Sequence, residues 1–350
     1  MTSIIYVGMD VHTTNYTLCC YSMEDDRFFA EVQVEPDAKN ILKYLARIEK
    51  QQSRDCRIVC GYEAGCLGYS LYHQLHAHGI DCVILAPTTM MTKPGKRIKT
   101  DRRDARLISK CLAFHTYSPV YIPTEVDDAV KEYIRMRDDA NSALARVKQQ
   151  IIAFCIRHGK IHDGKSYWTN KHLEWLSSLD LGNKILSEVL QEYLIRYYQL
   201  REQVDMYDMR INELAQAEPY RQKVEKLSCF RGIAAHTALS FCVEVGDFRR
   251  FATAQQFASY LGLVPGECSS GDKQQYTGIT KAGNSHLRKL LVETAQVFGR
   301  SATKSGKSVA LKERQAKCDS LTVAYADKAN ARLKKKYFKI AMRSKVNIAK

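Results

Sequence analysis

The sequence predicts an α/β domain at its N-terminus, a long helical middle and a mostly helical C-terminal region. Three observations carry this. Short runs of β-branched residues separated by turn residues fill the first hundred positions. Two glycine-poor stretches with a 3-4 apolar spacing follow, and shorter helical patterns close the chain.

Within residues 1–120, Ile4–Met9, Tyr16–Met23 and Phe28–Val34 read as three successive strands joined by hairpins. Ala38–Ile48 is helical, with Ile41, Leu42, Leu45 and Ile48 on one face. Arg57–Tyr62 and Asp81–Ala86 are continuous apolar runs of the buried-strand type. Leu67–His78, ending at Gly79, and Asp101–Phe114 read as helices, so the order is β-β-β-α-β-α-β-α.

From Glu125 to His158 there is neither Gly nor Pro, and Val130, Tyr133, Ala140, Leu144, Val147, Ile151 and Phe154 form an apolar seam that Arg137 interrupts. Lys184–Glu218 keeps the alternation unbroken through Leu186, Leu190, Tyr193, Tyr197, Leu200, Val204, Tyr207, Ile211 and Leu214, and Pro219 ends it. Such seams predict a coiled coil over 121–218, with self-association the favoured use and an intramolecular hairpin the alternative. In 219–305, Leu227–Val245 reads as turn plus helix around Gly232, Ala254–Leu261 and Lys289–Phe298 as helices, and Pro265–Gly283 as loop.

The net charge is +15 at pH 7, which points to a polyanionic partner. Residues 301–350 hold 14 Lys/Arg against Glu313, Asp319 and Asp327, so this part alone contributes +11. A solvated tail over 306–350 and a basic arm that orders on nucleic acid both fit. Neither a signal peptide nor a membrane-length apolar run is evident, which predicts a cytoplasmic, nucleoid-associated protein with reduced thiols. The spacing of Cys56, Cys60 and Cys66 matches no zinc pattern, and these read as buried structural thiols.

The acids of the first domain sit where chemistry is done. Asp10 ends the first strand, Glu63 ends the fourth, and Asp101 and Asp104 share a helix face three residues apart. Carboxylates gathered at a sheet edge repel one another unless cations neutralise them, and an oxygen-only set suits Mg²⁺, with two ions clamping the attacking and leaving oxygens of a phosphodiester. Turn formation, capping, or pairing with Arg102, Arg103 or Arg106 is the bland alternative for each. Lys93, Lys96, Arg97, Lys99, Arg102, Arg103 and Arg106 form a basic run able to hold phosphates beside the acids, or simply a solvated face. Farther on, Ser269-Ser270-Gly271 offers an exposed hydroxyl in a loop, a weak signal by itself.

Together these motifs resemble a known family. Gly8-Met-Asp-Val-His12, Tyr62-Glu-Ala-Gly65 and Lys99-Thr-Asp-Arg-Arg-Asp-Ala105 resemble the DEDD transposases of the insertion-sequence-110 type. Phe230-Arg-Gly-Ile233, Gly246-Asp-Phe248, Tyr260-Leu-Gly-Leu-Val-Pro265, Ser269-Ser-Gly271 and Thr280-Lys-Ala-Gly-Asn284 with Leu287-Arg288 are similar to that family's second signature domain. Where the family often has Gly-Ile-Gly, this chain reads Gly232-Ile233-Ala234.

The resemblance implies an α/β RNase H-like N-terminal domain of the Holliday-junction-resolvase (RuvC) type, with Asp10, Glu63, Asp101 and Asp104 as metal-binding acids. It also implies a covalent phosphoserine link through Ser270, with Ser269 in reserve, and a structured bridge RNA that pairs with donor and target DNA. Homodimers would assemble into tetramers, and Lys99, Arg102, Arg103, Lys281, Arg288, Lys289 and the basic tail would contact nucleic acid. Two alternatives stay open: a resolvase-like nuclease in which metals activate water, and an inactive nucleic-acid-binding scaffold.

Overall fold

The computed structural model describes residues 3–51, 56–90, 100–267, 275–300 and 306–344. Its β-branched runs form strands β1 (Ser3–Val11), β2 (Tyr16–Ser22) and β3 (Arg27–Val34), each antiparallel to the one before. Helix α1 (Ala38–Gln51) then returns the chain to β4 (Cys56–Glu63), parallel to β1. Helix α2 (Ser70–Ala77) leads to β5 (Asp81–Leu85), parallel to β4. The sheet order is β3-β2-β1-β4-β5, and α3 (Asp101–Ala113) follows it in sequence.

Side chains alternate across a strand, and the two faces of this sheet build two cores. Ile5, Val7 and Met9 face α1 and α2, packing with Ile41, Leu45, Ile48, Leu71 and Leu75. On the other face Tyr6, Tyr21 and Leu85 pack with Ile108, Cys111 and Leu112 of α3. The predicted element order is the one observed, with boundaries differing by a few residues at most helix ends.

The chain divides into two compact units, Met1–Ile122 and Pro123–Lys350. The second opens with α4 (Glu125–Arg157), capped by Thr124, then α5 (Asn170–Ser177) and α6 (Lys184–Gln216), capped by Asn183. The residues of the two apolar seams meet each other. Leu144, Val147, Ile151 and Phe154 pack on Leu190, Leu194, Tyr197 and Val204, with Leu173 and Leu176 of α5 closing the end. Val130 and Ile134 meet Ile211 and Ala215, so α4 and α6 run antiparallel.

Within the chain the two seams pack on each other, as the hairpin alternative expects. The returning connection through α5 lets the chain fill them itself, and an intramolecular hairpin forms. Arg137, which interrupts the seam, reaches Asp208 of α6 through Nε and Nη2 at 2.7 and 3.0 Å. A bidentate pair of this kind fixes the register of two helices whose apolar contacts alone would tolerate sliding.

After α7 (Arg221–Ser228), α8 (Ala235–Val245) and α9 (Ala254–Tyr260), strands β6 (Pro265–Glu267) and β7 (Tyr276–Ile279) pair as a small antiparallel ribbon within the expected loop. Helices α10 (Ser285–Arg300), α11 (Val309–Gln315) and α12 (Ser320–Ala341) complete the unit.

The basic composition of the C-terminal end is compatible with a solvated tail. Its described part is folded instead. Gln315 is buried and donates to the Cys229 carbonyl at 3.0 Å, Arg314 donates to the Ser228 carbonyl at 3.0 Å, and Asn330 accepts from the Arg231 amide at 3.0 Å.

The described cysteines are free thiols. Cys60 is buried, whereas Cys56 is half-buried and Cys66 exposed, so the burial expected of all three holds for the first alone. No helix among the described residues is long and apolar enough to cross a membrane.

Candidate functional site

The acidic site is built by two glycines. Gly8 and Gly61 are register partners on the parallel strands β1 and β4. A Cβ on Gly8 would lie 2.0 Å from the Ala105 carbonyl oxygen and 2.4 Å from the Ser109 amide of α3, and one on Gly61 would lie 2.8 Å from Leu112 and Leu85. Hydrogen at Gly8 lets α3 seat backbone-to-backbone on β1, and at Gly61 it leaves room for the Leu112 and Leu85 side chains.

Two residues farther along each strand, with side chains on the same face, come Asp10 and Glu63. Met9 pairs with Tyr62, so the next step along both strands sets Asp10 beside Glu63 at the carboxyl end of the sheet. Helix α3 starts over that end, with Asp101 and Asp104 in its first turn. Thr100 caps it, its hydroxyl accepting from the Arg103 amide at 3.4 Å, and the positive helix N-terminus favours both carboxylates there.

Burial pushes the Asp10 carboxyl above its ordinary range, and the charges of Asp104 and Asp101 push it the same way while His12 opposes them. His12 Nε2 lies 3.2 Å from Asp10 Oδ2. Potential ligand atoms of Asp10, His12 and Asp101 all lie within 4.8 Å of one another. Arg102 and Arg106 turn away to Glu31 on β3, at 3.5 and 2.6 Å, so the acids are not simply their partners.

The second unit holds a charged cluster that sequence reasoning missed. Asp138 of α4 accepts from His286 Nε2 of α10 at 2.8 Å and from Arg137 Nη1 at 3.1 Å, and His236 Nε2 of α8 lies 3.0 Å away. Glu244 of α8 accepts from Asn284 at 2.7 Å and Arg135 Nη2 at 2.9 Å, and His286 Nδ1 is 3.3 Å from it. Burial works against charge on both acids, yet their donors outweigh it: Asp138 is held well below the usual carboxylate range, and Glu244 is brought down to about 2. The hydrogen bonds to Asp138 and Glu244 raise His286 to about 9. Beside the cluster is a cleft of 470 Å³ lined by Arg135, Asp139, Ser142, Asn284 and Lys289.

The comparisons with known proteins agree with both regions. A transposase model of the DEDD type named for IS110 matches residues 7–156, and the model described as transposase IS116/IS110/IS902 family matches 224–314. The chain is 32% identical over 340 residues to the transposase for insertion sequence element IS1533 of Leptospira borgpetersenii, covering 95% of each. It is 35% identical over 284 residues to the putative transposase y4qE of Sinorhizobium fredii, covering 81% of this chain and 69% of that one.

The chain belongs to the IS110-type DEDD transposase family.

The transposase is therefore a DNA-cleaving and rejoining enzyme of insertion-sequence mobility, and its family's acids imply use of a divalent metal. Of the acids singled out in its sequence, the structure sets Asp10, Asp101 and Asp104 within electrostatic reach of one another and Glu63 on the adjoining strand end. His12, quoted only as part of a motif, joins them. Ser269, Ser270 and Lys99 lie outside the described residues.

Arg102, Arg103 and Lys281 are exposed. Arg288 has an internal task, donating through Nη1 to the Leu261 and Ala282 carbonyls at 2.7 and 3.1 Å. That brace ties together three pieces of the second motif set, at Leu261, Ala282 and Arg288. Gly262 and Gly283, at φ +66° and +73°, let residues 260–262 and 281–283 lie backbone against backbone, and a Cβ on Gly283 would stand 2.0 Å from the Tyr260 carbonyl oxygen.

Proposed function

We propose that the acidic end of the N-terminal sheet is the metal-dependent phosphoryl-transfer centre of this transposase, with Mg²⁺ as its ion. The observation that carries the reading is the gathering of acids at one end of the sheet: ligand atoms of Asp10, His12 and Asp101 lie within 4.8 Å of one another, and burial with the charges of Asp104 and Asp101 pushes the Asp10 carboxyl up. Gathering like charges in this way is unfavourable unless a cation is meant to join them. The donor set fits: carboxylate oxygens from Asp10, Glu63, Asp101 and Asp104 suit a hard divalent cation, and His12 orients Asp10. Two such ions held there would supply the positive charge that phosphoryl transfer at a phosphodiester requires. The strand order β3-β2-β1-β4-β5, with β2 antiparallel to both neighbours, supports an RNase H-like reading of the domain.

In this reading Ser270 of the serine-bearing region 219–305 supplies the nucleophile, with Ser269 in reserve. Its Oγ forms an ester with the DNA phosphorus as the bond from that phosphorus to one sugar oxygen breaks, and the proton lost by the serine is balanced by the one the departing sugar oxygen takes up as a free hydroxyl. Attack by the hydroxyl of another strand reverses the exchange, so the phosphodiester energy is conserved. Exposed Arg102, Arg103 and Lys281 hold the backbone. The family resemblance further supports a structured bridge RNA as guide to donor and target DNA, and dimers assembling into tetramers.

The test uses purified protein, Mg²⁺, element-end DNA and RNA transcribed from the element's flanking non-coding region. A denaturant-resistant protein–DNA adduct is expected from the wild type, absent in Ser270→Ala and retained in Ser269→Ala. Asp10→Asn is expected to abolish cleavage while binding persists. Cleavage without an adduct in any variant would move the reaction to water attack, and full activity of Asp10→Asn would remove the acidic cluster from the mechanism.

A further inference from the structure

The β6–β7 ribbon has almost no core of its own. The β7 residues Tyr276–Ile279 are all exposed, and in β6 only Gly266 is partly covered. A two-stranded ribbon standing alone is marginally stable, so its direction is decided where it joins the rest of the unit. The ladder continues below it. Thr280 donates its amide to the Val264 carbonyl at 2.9 Å, Lys281 to Gly262 at 3.1 Å and Asn284 to Tyr260 at 3.2 Å. Residues 260–264 and 280–284 are therefore the base on which the ribbon stands.

One residue grips both chains of that base. The Glu244 carboxylate accepts from Asn284 Nδ2 at 2.7 Å, and the Glu244 backbone carbonyl accepts from the Tyr260 hydroxyl at 3.1 Å. Asn284 in turn accepts from the Leu287 amide through Oδ1 at 2.9 Å, so the same side chain also caps α10. The Glu244 side chain is only 5% exposed, and burying a carboxylate is costly unless its charge is answered. Arg135 at 2.9 Å and His286 at 3.3 Å answer it. Hydrogen bonds to an ionised carboxylate are short and directional, so the two chains are held in one geometry rather than merely together.

We propose that Glu244 is a positioning residue for strand exchange. By fixing the base it sets the direction of the ribbon, whose strands bracket Ser270 in the sequence. It acts through the geometry it imposes, not by contact with DNA. The inference rests on the reading of Ser270 as the nucleophile. A nucleophile must meet its phosphorus in line with the leaving oxygen, and a displacement of about 1 Å costs up to about a hundredfold in rate.

The experiment compares three variants of the full chain with wild type. Asn284→Asp keeps the acceptor for the Leu287 amide but removes the donor and sets a second carboxylate against Glu244. Asn284→Asp/Glu244→Gln returns an N–H···O bond with donor and acceptor exchanged, at unchanged net charge. Asp208→Asn breaks the Arg137 pair between α4 and α6 and destabilises the unit without touching the base. Urea unfolding reports stability. Adduct formation with Mg²⁺, flanking-region RNA and element-end DNA is followed over a series of DNA concentrations.

Asn284→Asp is expected to slow adduct formation at saturating DNA about tenfold or more. Its half-saturating DNA concentration should stay within about twofold of wild type, as for an interaction that matters in the transition state alone. The exchanged pair should return the rate to within about threefold of wild type. Asp208→Asn should keep the wild-type rate despite its lower stability. If Asn284→Asp does not fold, Tyr260→Phe removes only the hydroxyl on the other chain and is expected to slow the adduct about threefold.

A wild-type rate in Asn284→Asp, or in Tyr260→Phe where that variant stands in, would overturn the proposal. So would an equal loss in Asp208→Asn, or an exchanged pair that regains stability without regaining rate. A wild type that cleaves without an adduct would overturn the serine reading itself, and the ribbon's role with it.

Discussion

Two clusters of carboxylates, one in each unit, are built on opposite principles. In the second unit Asp138 and Glu244 are surrounded by donors, and both are held below the ordinary carboxylate range. In the first, Asp10 lies among Asp101, Asp104 and a single histidine, and is pushed up. A compensated cluster stabilises the fold that contains it. An uncompensated one opposes its fold, and its acids make physical sense as ligands for something positive. The contrast fits a structural task for the His286 network, which ties α4, α8 and α10 together, and the proposed chemical task for the Asp10 group.

The largest effect tests how the uncompensated cluster is held. Gly8→Val places side-chain atoms inside the backbone of α3. Urea unfolding should show a loss on the order of 3 kcal/mol or more, with cleavage lost as well. A variant of normal stability would mean that α3 does not sit on β1 as described.

Next comes the compensated cluster. Asp138→Asn leaves His286 charged beside one acid rather than two, and should cost about 3 kcal/mol. A smaller and pH-dependent effect follows from His286 itself. Its folded pKa of about 9 lies above the ordinary 6.5, so its stabilisation is full below about 6.5 and is lost as pH rises through about 9. His286→Gln should therefore be destabilised on the order of 2 kcal/mol relative to wild type at pH 6, with the gap closing by pH 10. A gap that widens with pH would contradict a charged His286. The smallest stability change belongs to Asp10→Asn, whose unfolding should stay within about 0.5 kcal/mol of wild type or shift upward as like-charge repulsion is removed.

Much of the first unit was legible in sequence because its signals are local. Strand alternation, turn residues and the strand-end positions of Asp10 and Glu63 are all set within a few neighbouring residues. The interruption at Arg137 was visible, but its partner Asp208 is 71 residues away and nothing in the pattern names it. The Asp138–His286 contact spans 148 residues and joins helices whose exposed faces read as ordinary polar positions. Helix α12 was hidden for another reason: only Ala326 and Tyr337 of its residues are buried, so the charge run masks its periodicity. The seams of α4 and α6 showed which residues would be buried, while whether a second chain or the same chain fills them depends on the returning connection.

In the proposed function the Asp10 cluster is made for a divalent cation. The most direct measurement is the unfolding free energy of wild type and Asp10→Asn with and without Mg²⁺. At ten times its Kd, an ion bound to the folded state alone adds about 1.4 kcal/mol. Wild type is expected to show that gain and Asp10→Asn to lose it. An equal gain in both proteins would contradict it.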